Sequence, residues 1–238
     1  MSVPINWSSF FNRMPRQLEE PVRQHLKNVY ACLTLSVISV AVGAYLQIYT
    51  FLSLGVFFST LAGLVPVFLL LSTPHNGTNT PLRITYLLAS GFFIGMGMGP
   101  LLQYVINIDP SLIMSALIGT TLIFACFTLS VLFSKRGYWL FLFGPLSSLA
   151  SVVILLSFGN LFFGSYLIYQ MDVYLGLLIM CGLVLFDTTV VIEKFRMGDK
   201  DFITHALDLF MNFIGIFKRI LIILTERERN ERERKRNQ

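Results

Sequence analysis

Four residues near the C-terminal end carry the chemistry that this sequence offers: Asp187, His205, Asp208 and Asn212. Asp187 stands in the apolar run Leu185-Phe186-Asp187-Thr188-Thr189, and Asp208 in His205-Ala206-Leu207-Asp208-Leu209-Phe210. A charged acid in the middle of a membrane helix costs about 2.5–3.5 kcal/mol on insertion scales. Such an acid usually faces a bundle interior and marks an ion path or a proton relay. The competing structural reading is an interhelical hydrogen bond that clamps two helices together. His205, Asp208 and Asn212 are spaced i, i+3, i+7 and share one helical face. That polar stripe on the last apolar segment can face Asp187 on the segment before it. Counted from the expected span edges, Asp187 and Asp208 lie at matched depth, roughly 8–9 Å below one surface. His205 alone reads more simply as a hydrogen-bonded or interfacial side chain than as a metal ligand.

The elements that must hold these residues are membrane helices. Of the 238 residues 55% are hydrophobic and only 13% charged, about half the charge of an ordinary soluble domain. Apolar runs near the length of a bilayer crossing fall at roughly 29–48, 51–72, 84–105, 112–133, 138–157, 173–192 and 203–224. Backbone groups find no water in lipid, so each run must be helical. The expectation is an all-α, polytopic seven-helix bundle without a second domain. A cytosolic segment (1–28) precedes a membrane region (29–224), and a charged tail (225–238) follows. No cleavable leader is expected, because the first apolar run is of full span length.

Lys and Arg alternate between successive connections. Arg13, Arg16, Arg23 and Lys27 precede the first span; then come none, Arg83, none, Lys135 with Arg136, none, and Lys194, Arg196 and Lys200. The bias puts the N-terminus in the cytosol. A seventh crossing then carries the basic tail to the other side, against the same bias; a re-entrant last segment is the alternative. Eight of the 18 basic residues lie from Lys218 onward, so the net charge of +5 belongs mostly to the tail and does not describe a nucleic-acid-binding face. In the tail, Arg227–Glu231, Glu228–Arg232 and Arg229–Glu233 are opposite charges at i, i+4, which supports a helical extension. Gly91, Gly95, Gly97 and Gly99 read as a close helix–helix contact, and Pro100 as a bend. Cys32, Cys126 and Cys181 sit in apolar runs as small buried side chains. The glycosylation-like triplets at Asn6 and Asn76 fall on the expected cytosolic side and read as chance.

No phosphate loop, metal-ligand cluster or cofactor motif is visible, and none is expected. Met197-Gly198-Asp199 follows a basic residue in a connection, where an intramembrane aspartyl centre would need it inside a span. Gly164-Ser165 and His205 belong to opposite sides. The residues therefore read as non-enzymatic.

The segment 173–194, with Gly198-Asp199, the run 201–210 and Phe213-Ile214, resembles the signature region of the Bax inhibitor-1 family. Gln24 to Ala31, Ser72-Thr73-Pro74-His75, Met98 to Leu102 and Phe124 to Ser130 agree with it. The resemblance covers nearly the whole chain. It implies an endoplasmic-reticulum membrane protein that suppresses apoptosis and leaks Ca²⁺ from the lumen in a pH-dependent way. It also implies six helices around a central last one, Ca²⁺ as permeant ion, and roles in ER stress and the unfolded protein response. Membrane proteins of the Bcl family and of ER-stress signalling are the partners it suggests. The family's proton-sensitive aspartate pair maps onto Asp187 and Asn212. Asn212 departs from the pattern: two carboxylates that share a site resist double ionisation, and an Asp–Asn pair lacks that term. The resemblance thus implies a weaker or shifted pH response here, with Asp208 as a candidate substitute. A non-conducting scaffold that binds other membrane proteins remains the alternative function.

Overall fold

A computed structural model describes residues 19–49 and 55–237. The rest of the N-terminal segment, including Asn6, lies outside the described residues. Among the described residues seven α-helices follow one another: α1 Glu20–Tyr49, α2 Gly55–Ser72, α3 Thr80–Ile108, α4 Ser111–Phe133, α5 Phe143–Phe163, α6 Tyr166–Arg196 and α7 Phe202–Arg236. A 3₁₀ turn, Tyr138–Leu142, leads into α5. Each expected span lies within or largely within one helix, and among the described residues there is no strand.

Local chemistry sets the boundaries. Pro81 occupies the first turn of α3, where its missing N–H costs nothing. Asp109 accepts the Ser111 amide at 2.8 Å and so starts α4. Asp201 caps α7 by accepting the Thr204 amide at 3.3 Å. Gly164 ends α5 at φ +58°, a left-handed backbone that a side chain would strain.

The last helix is the centre of the bundle, as expected. α7 packs against α1, α3, α4 and α6, while α2 lies on α3 and α5 on α6. Ile203, Ala206, Leu209, Phe210, Ile216 and Leu221 of α7 are buried, pointing in several directions around its axis. The helices at the periphery behave oppositely. Leu155, Phe162 and Phe163 of α5 are exposed, which for an apolar helix means contact with lipid.

Among the described residues five segments are long and apolar enough to cross a membrane: α1, α3, α4, residues 138–163 and α6. Residues 58–72 form a shorter apolar helix. α7 is interrupted by Asp208, Lys218 and Arg219 and is not among these five. α7 nonetheless runs the whole height of the bundle as one continuous helix. Its start meets α1 and α3 at Asp201 and His205, and its far part meets the α3–α4 connection, where Arg232 lies 3.8 Å from Asp109.

The glycine-rich stretch of α3 does what its composition suggests. A methyl group on Gly95 would collide with the Val40 carbonyl of α1, and one on Gly43 with the Phe92 carbonyl of α3. The two backbones therefore cross in direct contact, the geometry small residues permit in lipid. Ser39 ties the same crossing by donating to the Leu88 carbonyl at 2.7 Å.

Candidate functional site

α6 and α7 form an antiparallel hairpin closed by residues 197–201. Gly198 turns the chain at φ +102°. Asp187 precedes the end of α6 at Arg196 by nine residues, and Asn212 follows the start of α7 at Phe202 by ten. The two positions therefore lie level, about 14 Å into the hairpin at 1.5 Å per residue. Asn212 Nδ2 donates to Asp187 Oδ2 at 2.6 Å. Asn212 is buried and Asp187 half-buried.

Asp208 is not in this contact. It comes four residues earlier on α7, it is exposed, and among the described residues it has no hydrogen-bond partner. The matched depth expected of Asp187 and Asp208 came from helix edges at 192 and 203; the helices end at Arg196 and begin at Phe202, which shifts the level partner to Asn212. At 100° per residue Asp208 stands at the edge of the stripe that buries His205 and Asn212. It still lies within electrostatic reach of Asp187.

His205 sits apart from Asp187, about two turns nearer the helix start. Its Nδ1 is 3.0 Å from His25 Nε2 of α1, so one proton is shared between the two rings. His205 Nε2 is 3.6 Å from an Asp199 carboxylate oxygen. The His25 ring also packs on Phe195, centroids 4.4 Å apart. No group of three or more His, Cys, Asp or Glu among the described residues could hold a metal ion.

Above the Asp187–Asn212 contact, the loop end of the hairpin is tied shut. Arg83, read as a loop charge from the sequence, is buried in the first turn of α3. Its Nη2 donates to Asp201 Oδ2 at 2.6 Å and to Thr204 Oγ1 at 2.9 Å. Burial by itself would raise the Asp201 carboxyl. The Arg83 guanidinium and the Thr204 hydroxyl and amide outweigh it and hold Asp201 below the usual carboxylate range. On the other side Glu193 accepts from Arg136 at 3.0 Å and from Arg196 at 2.9 Å. The site is thus a part-buried polar contact between the last two helices, with ion pairs at the loop end of the hairpin.

Sequence reasoning missed Arg83, Asp201, His25 and Asp199. The signal for Arg83 was its isolation: between Lys27 and Lys135 no other Lys or Arg occurs. A lone cation beside an apolar run needs a partner.

Comparison with known proteins gives a single answer. Residues 22–229 match the family model described as inhibitor of apoptosis-promoting Bax1. The chain is 42% identical over 231 residues to a probable Bax inhibitor 1 of Paralichthys olivaceus, covering 97% of each. It is 41% identical over 213 residues to Bax inhibitor 1 of Homo sapiens, covering 90% of each. To Bax inhibitor 1 of Drosophila melanogaster it is 39% identical over 232 residues, covering 97% of this chain and 94% of that one.

Proposed function

Because the chain belongs to the Bax inhibitor-1 family, we propose that it suppresses apoptosis from the endoplasmic-reticulum membrane by a Ca²⁺ leak from the lumen, with the Asp187–Asn212 contact as its latch. The observation that carries this reading is the 2.6 Å hydrogen bond between those side chains inside the bundle. A carboxyl group at that depth is expensive unless it is paired or serves a path for ions.

Asn212 gives the latch a particular character. An ionised Asp187 accepts from the amide nitrogen; a protonated Asp187 donates to the amide oxygen after the amide turns over. The contact survives in both states, so the leak responds to pH less steeply than an aspartate pair would allow. Asp208 supplies a second carboxylate near the latch, and His205 belongs to the closed loop end above it. Passage requires the latch to part; the Arg83–Asp201 tie, at the start of the same helix, is expected to loosen with it.

The test is reconstitution of the purified full chain in Ca²⁺-loaded liposomes. Efflux that falls to background in Asp187→Ala supports the leak. A wild-type protein without efflux overturns it and leaves a scaffold for other membrane proteins, including those of the Bcl family, as the working function.

A further inference from the structure

The end of the bundle opposite the hairpin loop holds a different feature. There α7 passes between α3 and the start of α6, and a cavity of about 420 Å³ separates them. Lys218 and Arg219 of α7 line it together with Tyr169 and Asp172 of α6. Among the described residues neither cation lies within ion-pair distance of a carboxylate. Asp172 is engaged elsewhere, accepting from Ser157 Oγ at 3.0 Å. Arg219 Nε is buried without a hydrogen-bond partner. The chain makes room for this guanidinium: a methyl group on Gly176 of α6 would collide with it.

Two neighbouring cations at the rim of an apolar bundle, one of them with a buried unsatisfied donor, need an anion. The remaining wall is apolar, built from Met98, Leu101 and Ile222. Tyr169 and Asp172 fall within the first two turns of α6, just before the apolar run expected at 173–192, which puts the mouth of the cavity near the expected headgroup level on that side. Its volume is that of a small-ligand site and holds a phosphate with its glycerol, while acyl chains must leave sideways past the exposed Pro100. We propose that this cavity binds the phosphate of an anionic phospholipid between Lys218 and Arg219, with the acyl chains lying along α3 and α7. Basic pockets between membrane helices take acidic headgroups by the same chemistry. The proposal stands whether or not the protein conducts Ca²⁺.

The experiment is thermal unfolding of the purified full chain in nanodiscs of phosphatidylcholine alone, of phosphatidylcholine with phosphatidylglycerol, and of phosphatidylcholine with added inorganic phosphate. Phosphatidylglycerol should raise the unfolding midpoint by about 5 °C. Lys218→Gln should at least halve that rise and the double variant Lys218→Gln, Arg219→Gln should remove it. A tail variant, Arg234→Gln with Lys235→Gln and Arg236→Gln, should keep it. No rise in the wild type, or a rise that persists in the double variant, overturns the site. An equal rise with inorganic phosphate overturns the lipid assignment in favour of a free anion. Should the double variant fail to fold, a diazirine-bearing phosphatidylglycerol decides: adducts on residues 97–101 and 218–222 that Lys218→Gln diminishes support the site, and adducts confined to the tail overturn it.

Discussion

Asn212 Nδ2 lies 2.6 Å from Asp187 Oδ2 and joins the last two helices of the bundle where both are level below the hairpin loop. An amide can satisfy either protonation state of the acid, so this contact is built to persist across pH. Replacing Asn212 by Asp puts two carboxylates at that distance, and they cannot both be ionised. Asn212→Asp should therefore make Ca²⁺ efflux from liposomes depend more steeply on pH between about 5 and 8 than in the wild type. A leak-versus-pH curve that does not change would show that the contact does not control passage.

The Arg83–Asp201 pair holds α3 to the cap of α7. Arg83 is 2% exposed and Asp201 18%, so removing one partner strands the other with little water to replace it. Asp201→Asn should lower stability by about 2–4 kcal/mol, read as a drop in the midpoint of unfolding in detergent. The pH dependence follows from the direction of the shift. Asp201 is held below its unfolded value, so its contribution is complete above the ordinary carboxylate range and disappears as pH falls through the lowered folded value. Wild type and Asp201→Asn should thus converge in stability at strongly acidic pH; a gap that stays constant down to that range would refute the assignment.

The α1–α3 crossing offers a purely steric test. Val40 and Phe92 place backbone carbonyls where side chains on Gly95 and Gly43 would project. Because backbone cannot give way as a flexible side chain does, Gly95→Val should cost at least about 1–3 kcal/mol or prevent folding. Gly144 has open space around it and sits on a helix facing lipid. Gly144→Val should then fold with a midpoint close to that of the wild type. Similar losses in both variants would mean that helix propensity, rather than contact, decides.

Much of this architecture is legible in hydropathy, because each apolar run had to become a helix once placed in lipid. The helix ends were less accessible. α6 continues four residues past the expected edge at 192 and α1 begins at Glu20, since turns outside the hydrocarbon need no apolar pattern. That small error moved the level partner of Asp187 from Asn212 to Asp208; the family resemblance pointed to Asn212. The ties at the loop end leave no local trace. His25 and His205 are 180 residues apart and Arg83 and Asp201 are 118 apart, and only the packing of α1 and α3 on α7 brings them together. The exposure of Asp208 likewise depends on which edge of α7 its neighbours leave open.

The course of α7 yields the last prediction. Its 35 residues span about 52 Å, well beyond the roughly 30 Å of hydrocarbon. Its start is joined to α1 and α3 by the His25 and Arg83 contacts, and its tail reaches Asp109 through Arg232 at 3.8 Å. The hairpin loop and the tail therefore lie at opposite ends of the bundle. With the N-terminal segment in the cytosol, as the basic residues around the first spans predict, the tail is expected on the opposite side. The tail is also held as a helix by its own pairs, Arg232 with Glu228 at 2.7 Å and Arg227 with Glu231 at 3.1 Å. In a background with Cys32, Cys126 and Cys181 replaced by Ala, single cysteines at Gly198 and Asn230 should react with a membrane-impermeant maleimide from opposite sides of sealed vesicles. Labelling of both from one side would mean that α7 turns back within the membrane, and the central helix of this bundle would have to be redrawn.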